Sequence, residues 1–345
     1  MERTMPRIII ETTVRKALKD IRENAGRGIR NLVDMALHFS NARFQREFFS
    51  DAQTLLKNQS SAYYLLAQDI VTHVEEERII TFGINVGYNA CTLGARTIRK
   101  NEAELGFNIP WVIPMQLTKG SVAAHMEDYK RVISEGNSLG IYCWFLFLNE
   151  CTLDAIPLAE SYPDNAFVLF CQPEDVTPQF LDTVQDLNHV MLAIRNTEGA
   201  DKLCAALRSR EMLYSVYHVY TSTDVEQIEN GELLCDMEQL HPAFAAFLQD
   251  ESCDLTTAEC VSKIVSSLRE AQKHRTVAFD LYGDTRTIDS VISETPCSIA
   301  FDSEGKLTVV GAAQRCDVDL FSSALTDILE MNFRAGLSSI CRGGA

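Results

Sequence analysis

The residues best placed to do chemistry stand at the ends of apolar runs. Glu150 closes the run Ile141 to Leu148, Gln172 follows Ala166 to Cys171, and Arg195 with Asn196 ends Val190 to Asn196. Tyr217 to Tyr220, with His218 among them, end Met212 to Thr221, and Asp280 with Tyr282 closes Thr276 to Leu281. If these runs are parallel strands, their polar ends converge on one side. A guanidinium there can fork onto a carboxylate, and a carboxylate can accept an ammonium group. Glu150, Arg195, Asn196, Tyr217, His218 and Asp280 are therefore the candidate ligand-binding residues, with Glu150 and Arg195 as a clamp for a small zwitterion. The same groups could instead satisfy one another as a buried polar network. No catalytic residue is assigned, and the reading leans away from an enzyme. The alternative is an active α/β-barrel enzyme of lyase or hydrolase type, with Glu150, His218 and Asp280 as acid and base groups.

The elements that must position these residues alternate from Trp111 onward. Strands are expected at Trp111 to Thr118, Ile141 to Leu148, Ala166 to Cys171, Val190 to Asn196 and Met212 to Thr221, near Leu233 to Leu240, and at Thr276 to Leu281. Amphipathic helices stand between them, including one that Ser121 caps and one at Thr256 to Lys273. This spacing predicts an α/β fold: a parallel (β/α) barrel or partial TIM barrel, with an N-terminal helical segment and a C-terminal hairpin. The hairpin pairs Cys297 to Phe301 with Lys306 to Val310 around Asp302-Ser303-Glu304-Gly305. A last helix is expected at Asp319 to Phe333, and disorder from Ser338 to Ala345.

Ahead of the strands the pattern is helical. Val14, Leu18, Ile21, Ala25, Ile29, Leu32, Val33 and Ala36 draw one stripe along a long helix, which Gly26 and Gly28 weaken. Ser50 and Asp51 read as the cap of a second helix, and a third runs from Ser60 through Val74. The glycines of Thr81 to Gly94 read as turns leading into a basic helix, Ala95 to Lys100, where free backbone N–H groups could cradle an anion. The resulting parts are a helical region (1–106), an α/β barrel (107–312) and a C-terminal helix with a tail (313–345).

Composition narrows the partners. A formal charge of -17 over 345 residues argues against nucleic acid and against an anionic membrane surface. The opening MERTMPRIIIETTVRK does not read as a secretory signal, and no apolar run approaches a bilayer span. The 11 cysteines show no paired spacing and read as reduced residues of a cytoplasmic protein. Glu238, Gln239 and His241, and likewise Cys253, Asp254, Glu259 and Cys260, lack the spacing of a metal site, so no metal is expected. The partner is a small molecule or a protein of unidentified kind, and the oligomeric state is open.

Phe107 to Trp111, a strand, a capped helix, and then Ser138 to Tyr142 leading to a strand that ends at Asn149-Glu150 resemble the opening of a radical SAM barrel. The hairpin Thr295 to Val310 is similar to the segment that closes many such barrels. The resemblance implies Cys-x3-Cys-x2-Cys after the first strand, three thiolates that hold an iron–sulfur cluster to which S-adenosylmethionine binds. Here that stretch reads Lys119-Gly120-Ser121-Val122-Ala123-Ala124-His125. Of the family's Gly-Gly-Glu-Pro at the second strand end, only Glu150 matches, and where an auxiliary cysteine often follows the hairpin the chain has Val309-Val310-Gly311. The expectation is a catalytically degenerate radical SAM-like protein with an accessory, binding or regulatory role. It takes no iron–sulfur cluster and no cofactor, S-adenosylmethionine being the one cofactor left open. A radical SAM enzyme with a non-standard cluster site is the variant of the enzyme reading.

Overall fold

A computed structural model describes residues 5–39, 43–293, 297–308 and 315–333. Five helices lead: α1 (Met5–Glu23), α2 (Ala25–Phe39), α3 (Arg43–Leu55), α4 (Tyr63–His73) and α5 (Glu76–Ile84). A π-helix, Asn85–Gly94, runs into α6 (Ala95–Leu105). Strands and helices then alternate as β1 (Val112–Thr118), α7 (Lys119–Leu139), β2 (Cys143–Asn149), α8 (Thr152–Glu160), β3 (Ala166–Cys171), α9 (Pro178–Val184), β4 (Val190–Arg195), α10 (Ala200–Ser209) and β5 (Tyr214–Tyr220). There follow α11 (Val225–Glu229), α12 (Glu232–Glu238), β6 (Phe244–Gln249), α13 (Leu255–Ala271), β7 (Val277–Asp280) and α14 (Leu281–Ile292). The chain ends in β8 (Ala300–Phe301), β9 (Lys306–Thr308), β10 (Arg315–Asp319) and α15 (Leu325–Phe333). The expected tail, the Val309-Val310-Gly311 position and the boundary at 312 lie outside the described residues.

The chain forms two compact units, Met1–Ile84 with Phe170–Asp284 and Asn85–Leu169 with Thr285–Ala345. In the first unit β4, β5, β6 and β7 pair in parallel in that order. In the second, β1 pairs in parallel with β2 and with β8, and the antiparallel β9 and β10 extend the ladder. The fold is thus mixed α/β with a mostly parallel sheet. Of the expected barrel or partial TIM barrel, closure is not seen among the described strands, because the ladder ends at β7 in the first unit and at β10 in the second.

Several expected elements are corrected. The long N-terminal helix is broken at Asn24, whose side-chain oxygen accepts the Arg27 N–H (2.9 Å) and starts α2. Gly28 lets the two helices close up, since a Cβ there would lie 2.5 Å from the Ile21 nitrogen. Leu18 and Ile21 of the predicted stripe are buried, each 4% exposed, whereas Ile29 and Leu32 remain half-buried. Ser50 and Asp51 cap nothing; they lie within α3, which begins upstream. The glycines of Thr81 to Gly94 sit in α5 and the π-helix, so their N–H groups belong to helical ladders and form no anion cradle. Residues 233–240 are not a strand, because Leu233, Leu234 and Met237 bury one side of α12 at helical spacing, and the strand starts beyond Pro242. The unforeseen α14 starts directly after Asp280, and Arg315–Asp319 is a strand, so the last helix starts only at Leu325.

Side chains explain why α4 and α5 belong with β4 to β7. Asp69 on α4 accepts two bonds from Arg208 of α10 (2.8 and 2.5 Å). Arg78 of α5, 1% exposed, donates Nη1 to the Leu187 carbonyl (2.9 Å) and Nη2 to the Gln185 carbonyl, capping the end of α9. In the second unit Asn85 donates to the carbonyls of Pro163 (2.9 Å) and Asn165 (2.8 Å), and Asn89 to that of Asp164 (2.8 Å). There too the buried Asp289 of α14 accepts the N–H groups of Trp111 (3.0 Å) and Cys297 (3.4 Å).

Burial of the α1 stripe sets a graded test. Ile21→Asp places an unpaired carboxylate in the helical core and is expected to cost about 3 kcal/mol or more, while Leu32→Asp costs less than half of that. Urea denaturation of both variants checks the ranking, and equal midpoints would contradict it.

Candidate functional site

The register of the first unit decides which strand-end residues meet. Arg195 pairs with Tyr217, Tyr217 with Ala246, and Ala246 with Phe279. One residue further on, His218 pairs with Phe247 and Phe247 with Asp280. Partners in parallel strands point to one face, and successive residues point to opposite faces. Arg195 and Tyr217 therefore share one face, and His218 and Asp280 share the other. The structure brings together two pairs here, not one cluster.

On the first of these faces Arg195 is half-buried, and its Nη1 donates to Gln172 Oε1 (3.3 Å). Among the described residues no carboxylate stands within ion-pairing distance of it. Asp250 feels its field only weakly: that carboxyl is held below the ordinary range first by the Ser252 hydroxyl and N–H, with Arg195 a lesser cause. The Tyr217 ring meets Phe170 edge-on (5.3 Å, 72°), and burial pushes its hydroxyl well up. Asn196 contributes through its backbone, whose N–H donates to the Tyr217 carbonyl (2.7 Å).

On the opposite face Asp280 holds the start of a helix, while its Oδ1 and His218 Nε2 are buried without a hydrogen-bond partner among the described residues. Asp280 is 1% exposed; its Oδ2 accepts the Gly283 N–H (2.7 Å) at the start of α14, and its own N–H donates to Asp284 Oδ2 (2.8 Å). Asp284 is in turn gripped by both Arg269 nitrogens (2.7 and 2.8 Å). Gly283 is required here, since a Cβ would lie 1.8 Å from Ser262 Oγ. Burial raises the Asp280 carboxyl to about 7 and the Asp284 carboxylate adds to this, while the Gly283 N–H and Ser262 hydroxyl oppose it. His218 Nε2 stands 4.0 Å from Asp224 Oδ2; burial lowers the imidazole's pKa and Asp224 raises it.

Glu150 lies in the second unit, exposed, just past β2, with left-handed backbone (φ 55°). Such a backbone is uncommon for a residue with a side chain and marks the sharp exit from the strand. The stretch after β1 is a capped helix start: Thr118 Oγ1 accepts the Ser121 N–H (3.2 Å) and Ser121 Oγ accepts the Thr118 N–H (3.0 Å). His125 is stacked on Phe321 (3.8 Å, 4°). Residues 119–125 supply no thiolate, and among the described residues no group of three His, Cys, Asp or Glu is gathered to hold a metal ion. Asp254 caps α13 through the Thr257 N–H (2.8 Å), and Glu238 pairs with His274 (2.8 Å). Ala246 and Phe279, which share the row of Arg195, were not among the expected residues. Ala246 was hidden by the misplacement of β6, and an alanine or phenylalanine inside an apolar strand carries no signal of its own.

No protein-family model and no curated protein matches the sequence. Solved structures do. Streptococcus suis SuiB, a radical SAM enzyme, in its complex with S-adenosylmethionine aligns with TM-score 0.50 at 11% identity, covering 68% of this chain and 66% of that one. SuiB bound to the precursor peptide SuiA aligns at TM-score 0.49 and 10% identity, covering 72% of this chain and 70% of that one. The chain thus spans about two thirds of the length of the first SuiB structure, and the likeness is one of fold: radical SAM-like. It overturns the expectation of no cofactor and no iron–sulfur cluster, because the fold in question is one solved with S-adenosylmethionine bound. No helix among the described residues is long and apolar enough to cross a membrane.

The buried carboxyls make stability fall with rising pH. Asp280 and Asp289 are both raised from an ordinary 3.8 to about 7, chiefly by burial, so the folded state holds protons that the unfolded state has released. That contribution is complete below about pH 4 and is lost as pH rises through about 7. The urea midpoint is expected to be higher at pH 5.5 than at pH 8.5, with Asp280→Asn reducing the difference. A midpoint independent of pH would show that these carboxyls are already ionised at pH 5.5.

Proposed function

We propose that this chain is an accessory or regulatory ligand-binding protein built on a radical SAM-like fold, and that it takes a small zwitterion by its carboxylate at Arg195. The observation that carries this reading is a half-buried guanidinium held by a neutral amide, with no carboxylate paired to it among the described residues, in a chain of 48 Asp and Glu against 31 Lys and Arg. A partly desolvated cation without a counter-ion loses hydration that nothing repays, and with acidic residues so abundant a structural role would have been met by one of them. Gln172 fixes one nitrogen and leaves the remaining donors of the fork for a ligand oxygen. Tyr217 beside it supplies a hydroxyl and an apolar ring. S-adenosylmethionine, bound by SuiB, and free amino acids both carry the required α-aminocarboxylate. Glu150 is the candidate carboxylate of the other unit.

Calorimetry with S-adenosylmethionine and amino acids on the parent, Arg195→Met and Glu150→Gln tests this. Binding in the parent is expected to weaken at least about tenfold in Arg195→Met, the worth of a charge-assisted hydrogen bond. Glu150→Gln tests the second candidate independently. No binding in the parent, or undiminished binding in Arg195→Met, would overturn the reading.

A further inference from the structure

In the second unit the helix that follows β1 is two helices joined at a break. His125 has φ -128° and ψ 23°, outside helical values, so residues 119–124 are cut off from the remainder of α7. So short a helix does not hold itself, since nucleation is costly and few backbone bonds offset it. Its support comes from side chains, and it reaches α7 from the turn between β10 and α15. The Phe321 ring stacks on His125 (3.8 Å, 4°) and meets Tyr129 edge-on (5.3 Å, 89°). Tyr129 is 1% exposed, and its hydroxyl donates to Ser121 Oγ (3.1 Å), the atom that accepts the Thr118 N–H in the cap of α7. Phe321 thus bears on both sides of the break and, through Tyr129, on the cap. Its own seat is fixed. Arg131 of α7 donates to the carbonyls of Leu320 (2.7 Å) and Ser323 (3.1 Å), and Glu135 accepts the Leu325 N–H (2.7 Å) at the start of α15. Gly305 is required beside the ring, because its φ is 76° and a Cβ there would lie 2.7 Å from Phe321.

We propose that the turn at residues 320–325 is a latch for the stretch after β1: while Phe321 is seated, residues 119–124 are held helical, and withdrawal of the turn releases them. The proposal is independent of Arg195, which lies in the other unit. The first part of α7 can open alone because its backbone is already broken at His125, and local opening costs less than unfolding the whole. The part beyond the break has no such freedom, since it is continuous to Leu139 and buries Val132, Ile133 and Leu139. Seating of one aromatic side chain therefore sets the order of the segment that leaves β1.

Hydrogen exchange of the full chain, followed by mass spectrometry over residues 119–125 and 126–139, tests the latch in the parent, Phe321→Ala and Arg131→Met. In both variants exchange over 119–125 is expected to speed up at least about tenfold, while that over 126–139 changes by less than about threefold. Arg131→Met frees the turn without altering an aromatic ring, so it still reads the latch if Phe321→Ala fails to fold. Unchanged exchange over 119–125 would show that the first part of α7 needs no latch. Equal acceleration of both segments would show that the turn supports the unit as a whole, and either result overturns the proposal.

Discussion

Two-residue alternation along parallel strands is the constraint on which the first unit turns. A strand covered by helices must give every second side chain to the covered side, and there Val216, Ala245 and Phe247 leave no exposed surface. On the other phase Arg195 and Phe279 are half-buried and Tyr217 is buried, whereas Asp280 falls on the covered phase and becomes a helix cap. Two polar residues at neighbouring strand ends thus receive opposite fates from a shift of a single position.

Strands were legible where continuous apolar runs met β-branched and aromatic residues, as in Ala166 to Cys171, whose bounds the structure reproduces. They were not legible where composition fits two elements equally well. Leu233, Leu234 and Met237 suit a buried strand as readily as a helix face, and only the fold shows that Phe244–Gln249 takes the strand position. Arg195 could be singled out because a charge interrupts an apolar run. The grouping of the site residues could not, since register is a relation between distant segments. Closure of the barrel was not legible for a related reason: alternation dictates parallel pairing but says nothing about whether the first and last strands meet.

The absent cysteines taught a different lesson. A helix cap made by Thr118 and Ser121 fills the stretch after β1 with ordinary backbone chemistry, and from sequence the missing thiolates read as loss of the cluster, with S-adenosylmethionine alone left open. Fold and motif are independent, however, and a radical SAM-like fold can stand without the cysteine pattern that the resemblance led one to expect. Ligand recognition needs a face and a charge, and neither depends on a thiolate.

The π-helix Asn85–Gly94 has a further consequence. Its i to i+5 bonds take more residues per turn than an α-helix does, so the stretch behaves as an α-helix that has absorbed insertions into its winding without extruding a loop. The amides of Asn85 and Asn89 must nonetheless arrive at the carbonyls of residues 163–165. Angular phase, and not length, is what this segment conserves: a residue gained or lost between the two asparagines would swing one amide away from its carbonyl and leave a buried polar group unpaired.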